Sequence, residues 1–224
     1  MVNQTLLKSG RDQQLKVFEI FHSLQGESNL SGLPTVFVRL TGCPLRCSWC
    51  DTEYAFVGGQ WLHFDDILAQ IKQHNTPYVC VTGGEPLAQQ RVHGLLDLLA
   101  EQGFVVSLET AGSLSIENVH PAVIKIVDLK PPGSGEVAKN LYENLALLSM
   151  QDQVKFVLAD EVDYQWSKDI ISKYNLEHQC QILMSPVADV QPAKQLATWI
   201  LQDQLPVRFQ IQLHKYLWGD QPGT

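Results

Sequence analysis

Apolar residues fall into short runs separated by longer stretches in which they recur every third or fourth position. The short runs cover 17–22, 35–40, 78–82, 104–109, 123–129, 153–158, 181–184 and 207–213. They are rich in Val, Ile, Leu and Phe, are bounded by Gly, Pro, Asp or Ser, and read as strands. Several are apolar nearly throughout, as strands are when both faces are covered. The stretches between them predict helices over 64–74, 87–102, 139–150, 164–174 and 191–203. Ile67, Leu68 and Ile71 line one helical face, and Val92, Leu95, Leu96 and Leu99 line another, with Gly103 as its stop. Strands alternating with helices predict an α/β fold around a mostly parallel sheet. A closed eight-fold barrel typically takes roughly 250 residues, and this chain has 224. The expected architecture is therefore a shortened or open (β/α) barrel with its helices outside. The carboxyl ends of parallel strands form one rim, so the loops that follow them should carry the chemistry.

Composition narrows the class. Hydrophobic residues make up 45% and charged residues 18%, the balance of a globular protein. The net charge of −8 argues against a sequence-independent grip on nucleic acid, which needs a basic face. No run approaches the roughly 18 apolar residues of a membrane span. Residues 1–16 lack the features of a secretory signal. They read as a polar leader before a single domain over 17–224, and the expected location is the cytoplasm.

The unusual chemistry sits in the loop after 35–40. Three of the five cysteines, Cys43, Cys47 and Cys50, fall within eight residues. An odd number so spaced fits reduced metal ligands better than a disulfide framework. Structural zinc usually takes four protein ligands, whereas three thiolates on a 4Fe–4S cluster leave one iron open. On spacing alone, a zinc site completed by His63 or a further cysteine, or three structural thiols, stays open. A second motif, Thr82-Gly83-Gly84-Glu85-Pro86, closes a strand ahead of a helix, and its glycines allow close backbone approach.

The C-x3-C-x2-C loop together with this Gly-Gly-Glu-Pro turn resembles the radical SAM superfamily. The resemblance implies a 4Fe–4S cluster held by Cys43, Cys47 and Cys50, with S-adenosylmethionine (SAM) chelating the open iron and yielding a 5′-deoxyadenosyl radical. It also implies SAM contacts at Gly84 and Lys130. A narrower resemblance covers the chain after Gln14. The turn Ser23-Leu24-Gln25-Gly26-Glu27, the strand residues Phe37-Val38-Arg39-Leu40 and the step Cys50-Asp51-Thr52 carry it. So do Leu108-Glu109-Thr110-Ala111-Gly112-Ser113 and Gln212-Leu213-His214-Lys215-Tyr216-Leu217. These are similar to the 7-carboxy-7-deazaguanine synthase family.

That family converts 6-carboxy-5,6,7,8-tetrahydropterin to 7-carboxy-7-deazaguanine with loss of ammonia, in queuosine and 7-deazapurine biosynthesis. By this resemblance Leu24, Gln25, Gly26, Glu27, Arg39, Thr82, Glu109 and His214 would bind substrate, and Thr52 would bind Mg²⁺. Arg39 lies in an apolar strand, and a buried cation needs a partner. The substrate carboxylate and an internal carboxylate are both open for it. The resemblance further implies an electron donor such as flavodoxin or ferredoxin, and a homodimer. The sequence departs from the family where Asp128-Leu129-Lys130 stands for Ser-Pro-Lys, where Ser185-Pro186-Val187 stands for a Gln-Pro-Met type of turn, and over 218–224. A glycyl-radical-type activase of the same superfamily and a non-catalytic zinc-binding module are the rival readings.

Overall fold

The computed structural model describes residues 13–224. One sheet holds the strands β1 (Gln14–Leu24), β2 (Pro34–Leu40), β3 (Gln60–His63), β4 (Tyr78–Gly83), β5 (Val105–Thr110), β6 (Ile124–Asp128), β7 (Gln153–Leu158), β8 (Gln181–Pro186) and β9 (Arg208–Phe209). Their order is β3-β1-β2-β4-β5-β6-β7-β8-β9. From β2 to β9 every pairing is parallel, while β1 runs antiparallel to both β2 and β3. The sheet does not close, since β3 and β9 are its edges. The helices are α1 (Phe64–Ile71), α2 (Val92–Glu101), α3 (Glu161–Tyr174), α4 (Ala193–Gln202) and α5 (Leu213–Trp218).

The two-residue period of the strands divides the sheet into two chemistries. Val36, Val38 and Leu40 of β2 face the core, as do Val79 and Val81 of β4. Val106 and Leu108 of β5 and Val154, Phe156 and Leu158 of β7 join them, packed with Leu95, Leu96 and Leu99 of α2 and Ile170 and Ile171 of α3. The alternate residues, Arg39, Thr82, Glu109 and Lys155, line a cleft on the other face. The apolar face stabilises the fold, at about 25 cal/mol per Å² removed from water. The other face is free to be polar.

The first strand starts earlier than the sequence pattern implies. Leu15 is fully buried and pairs with Leu62, so the end of the expected leader belongs to the core. Residues 1–12 of that leader lie outside the described residues. The strand β3 escaped the sequence reading because it is only four residues long, with Gln60 and Trp61 exposed. The helix expected over 87–102 begins only at Val92. Pro86–Ala88 is a 3-10 turn, capped by the Glu85 carboxylate on the Leu87 N–H. Gly103 does end that helix, at φ +83°.

The helix expected over 139–150 is replaced by 3-10 turns over Val137–Lys139 and Tyr142–Leu147. The side chain of Asn140 bonds both backbone groups of Lys130, and that of Asn144 bonds Ile116 N–H and two carbonyls. Side-chain amides committed in this way compete with a helical ladder. The strand expected over 207–213 shrinks to Arg208–Phe209, and the chain then turns into α5.

A buried ion pair fixes the passage from β6 to β7. Lys125 Nζ lies 3.1 Å from Asp152 Oδ2, with side chains 8% and 0% exposed. Asp152 also accepts from the Lys125 and Ser149 N–H groups. Replacing Asp152 with Ala strands a buried ammonium, so unfolding free energy is expected to fall by about 3–5 kcal/mol, read by denaturant titration.

Candidate active site

Cys43, Cys47 and Cys50 follow β2, are unpaired and half-buried, and face one cleft of about 570 Å³. Burial pushes the thiols of Cys43 and Cys47 up, neighbouring thiolates add to this, and the Lys130 ammonium opposes it. The loop is tied at both ends. Gly42, at φ +99°, donates its N–H to Ala55 O, and the Cys50 N–H reaches Cys47 O at 3.2 Å. Cys50 Sγ lies 3.8 Å from the hydroxyl of Thr52, which also lines the cleft.

The Gly-Gly turn serves this loop directly. A Cβ on Gly84 would stand 2.6 Å from Cys43 Cβ and would also strike Gly42 O, and one on Gly83 would stand 2.5 Å from Leu40 O. The Glu85 N–H donates to Gly42 O at 2.9 Å. Gly84→Ala is therefore expected to displace Cys43, giving a folded protein that retains much less iron after anaerobic reconstitution, measured as iron per chain beside circular dichroism.

Glu85 has a role the sequence reading missed. It is fully buried and accepts from the Thr110 hydroxyl at 2.9 Å and the Ala111 N–H at 2.7 Å, bracing the end of β4 against the end of β5. Burial raises its pKa while these hydrogen bonds lower it, and burial wins.

No fourth ligand stands beside the three thiols among the described residues. His63 does not line the cleft, and its Nδ1 caps α1 by accepting the Asp65 N–H. Cys80 and Cys180 are buried in and beside strands of the sheet. No group of three or more His, Cys, Asp or Glu side chains among the described residues is arranged to hold a single metal ion. Three sulfur donors on a roomy cleft suit an iron–sulfur cluster with one open iron, not four-coordinate zinc.

One wall of the cleft consists of charged and polar side chains. Thr82 donates to Glu109 Oε2 at 3.1 Å, and the Gln25 amide donates to Glu109 Oε1 at 3.3 Å. Lys155 Nζ lies 2.6 Å from Glu27 Oε2 and 3.2 Å from Asp128 Oδ2, and Lys130 Nζ lies 3.2 Å from the same Asp128 oxygen. Burial alone would lower the Lys155 pKa. Asp128 and Glu27 outweigh it and hold the ammonium well above its usual range. Burial likewise opposes the Asp128 carboxylate, and the two lysines overcome it and lower its pKa.

Arg39 has an internal carboxylate partner. Its Nε donates to Glu19 Oε1 at 2.7 Å, and its guanidinium lies over Phe21 and Tyr54. Tyr54 donates to the same Glu19 oxygen at 3.1 Å. Burial first, then Glu19, push the Tyr54 hydroxyl up to about 12, against the opposing Arg39 charge. Only the Nε of Arg39 is engaged in hydrogen bonds among the described residues.

The turn Leu24-Gln25-Gly26-Glu27 reaches the cleft from the rim opposite the cysteines. Because β1 is antiparallel, its end pairs with the start of β2, Leu24 opposite Pro34. The loop then crosses to the start of β7, where Asn29 and Gln153 exchange two bonds of 2.9 and 2.6 Å. His214 packs on Gly26 so closely that any Cβ there would run into its ring, and the Leu213 N–H donates to Gly26 O at 3.0 Å. The structure thus brings every residue expected at the site to one cleft: the three cysteines, Thr52, Gly84, Lys130, Leu24, Gln25, Gly26, Glu27, Arg39, Thr82, Glu109 and His214. Sequence reasoning missed Lys155 and Glu19, and it quoted Asp128 only as a departure from a motif. A charge inside an otherwise apolar strand was the available signal for the first two.

An open parallel sheet with a three-cysteine loop after β2 and a Gly-Gly turn after β4 defines the class, and residues 37–128 match the model of the radical SAM superfamily. Enzymes of this class carry a 4Fe–4S cluster and use SAM. More particularly, the chain belongs to the 7-carboxy-7-deazaguanine synthase family. It is 42% identical to the 7-carboxy-7-deazaguanine synthase of Chlorobaculum tepidum, over 92% of this chain and 94% of that one. It is 40% identical to that of Koribacter versatilis, over 91% and 97%. The crystal structure of QueE from Escherichia coli shares the fold, with a TM-score of 0.74, 24% identity, and coverage of 90% and 95% of the two chains. No helix among the described residues is long and apolar enough to cross a membrane.

Proposed function

We propose that the chain is the radical SAM lyase that converts 6-carboxy-5,6,7,8-tetrahydropterin to 7-carboxy-7-deazaguanine with release of ammonia, in queuosine and 7-deazapurine biosynthesis. The observation that carries this reading is one cleft that holds three free thiols on its rim and a chain of fixed charges, Glu27, Lys155, Asp128 and Lys130, running across its wall toward them. In this reading Cys43, Cys47 and Cys50 hold the cluster, and Gly84 and Lys130 serve SAM. When bound, cluster and SAM together supply a carbon radical that takes hydrogen from C6 of the pterin.

The protein's own part is positioning. Glu109 is held by Thr82 and Gln25 through both oxygens, which fixes its carboxylate plane for the donor edge of a flat heterocycle. Lys155 holds Glu27 through Oε2 alone, which leaves the buried Oε1 without a partner among the described residues. Arg39, anchored through Nε on Glu19, keeps its other guanidinium nitrogens for the substrate carboxylate. His214 sits on Gly26 and ties α5 to the substrate turn.

Thr52 supplies a hydroxyl for Mg²⁺, a hard cation that prefers oxygen ligands. An electron donor such as flavodoxin or ferredoxin and a homodimeric state complete the proposal, both on the strength of the family resemblance. The test is anaerobic incubation of the reconstituted protein with the pterin, SAM and a reductant, with products read by mass. The deazaguanine acid is expected. SAM cleavage without it would favour an activase, and a colourless protein with stoichiometric zinc would favour a binding module.

A further inference from the structure

Asp163 is a fully buried carboxylate on α3 with no cation beside it among the described residues and no part in the chemistry above. Its Oδ1 accepts the Gly133 N–H at 2.8 Å and its Oδ2 the Ala159 N–H at 3.1 Å. It therefore ties the turn after β6 to the start of α3. The fit is tight, because a Cβ on Gly133 would stand 2.7 Å from Asp163 Oδ2. The turn is also closed on itself, with the buried Ser134 hydroxyl donating to Pro131 O at 2.6 Å and accepting the Glu136 N–H at 3.1 Å.

This braced turn grips the cysteine loop on both sides of Cys47. The Ser134 carbonyl accepts the Ser48 N–H at 3.0 Å and the Ser48 hydroxyl at 3.2 Å. The Glu136 carboxylate accepts the Arg46 N–H at 2.6 Å. The loop's other backbone anchors lie elsewhere, at Gly42 on Ala55 and on Glu85.

We propose that Glu136 and, behind it, Asp163 are positioning residues that set the conformation of the cluster loop around Cys47 and keep two of its N–H groups away from sulfur. Backbone N–H groups near an iron–sulfur cluster raise its reduction potential when they bond its sulfurs. Glu136 and Ser134 commit the N–H groups of Arg46 and Ser48 elsewhere. The template holds the loop that presents Cys47 and holds the cluster's potential low. The inference rests on the three cysteines carrying the cluster, as proposed above.

The test compares Glu136→Ala, which removes the acceptor, with Glu136→Gln, which keeps it and removes only the charge. Glu136 is partly exposed, so neither change opens the core. The readouts on reconstituted protein are the rate of iron loss to a chelator, the midpoint potential, and the electron paramagnetic resonance spectrum of the reduced cluster. Glu136→Ala is expected to lose iron several-fold to roughly tenfold faster, the factor that one net hydrogen bond is worth, with a raised potential and an altered spectrum. Glu136→Gln is expected to stay close to wild type in iron loss and spectrum. Asp163→Asn, which retains one acceptor oxygen, is expected to fall between them. A Glu136→Ala protein that matches wild type in all three readouts overturns the proposal, and so does a Gln variant as impaired as the Ala variant. A wild-type protein that assembles no cluster overturns this inference and the proposed function together.

Discussion

Cys47→Ala is expected to abolish formation of the deazaguanine product and to remove the reductive cleavage of SAM with it. On the proposed ligand set two thiolates would remain where the cluster needs three, and no spare sulfur stands ready to replace the missing one. Cys80 is fully buried in β4, where burial and Glu109 push its thiol well above the usual range. Cys180 lies beside β8, is also buried, and is raised to about 11. Neither is a thiolate at neutral pH, and neither lines the cleft. Anaerobic turnover with mass detection, alongside iron analysis, checks the prediction. A Cys47→Ala protein with full turnover would remove the mechanism.

The second large effect is expected at Lys155. Its ammonium is the hub of a chain of alternating charge, Glu27, Lys155, Asp128 and Lys130, running across the cleft wall. Lys155→Met leaves the Glu27 carboxylate buried without its cation, while Asp128 keeps Lys130. Removing one partner of a buried pair costs about 3–5 kcal/mol. If half or more of that falls on substrate binding, kcat/KM drops on the order of 100-fold. The drop should appear chiefly as a raised KM, because Glu27 is assigned to substrate and not to the radical step. Steady-state kinetics check it, with SAM cleavage in the absence of pterin as the control that should change little. A change in kcat/KM below about threefold would mean that Glu27 needs no fixed partner.

The sign of the pH dependence follows from the same network. The folded pKa of Lys155 lies above its ordinary value of 10.5. Its contribution to stability is therefore fully present at neutral pH and is lost only as pH rises past that value toward the folded pKa. Asp128 is depressed below its ordinary 3.8, so its contribution is present above that value and lost as pH falls through the folded pKa. Lys155 and Asp128 should therefore keep their charges across the whole neutral range.

Much of this site was legible in the sequence because its strongest signals are local. The spacing of Cys43, Cys47 and Cys50 and the run Gly83-Gly84-Glu85-Pro86 survive any uncertainty about packing. Arg39 stood out as a charge in an apolar strand, and the structure gives its Nε an internal partner in Glu19, which lies opposite it in the β1–β2 register. Glu19 and Lys155 carried the same signal and went unused, since one charge in one strand does not name its partner across a sheet.

Direction was the harder quantity. Nothing in the run 17–22 says that β1 is antiparallel, so the sequence does not tell from which rim the substrate turn enters. It enters from the rim opposite the cysteines. The stretch 139–150 has helical spacing, but Asn140 and Asn144 spend their amides on distant backbone groups, and tertiary bonds override local preference.

The central claim is that three thiolates hold a four-iron cluster whose remaining iron is open to SAM. The most direct measurement is the electron paramagnetic resonance spectrum of the reduced, reconstituted protein, recorded with and without SAM on a sample of known iron content. The account predicts about four irons per chain and a signal that shifts when SAM is added. A signal indifferent to SAM, or zinc in place of iron, would contradict it.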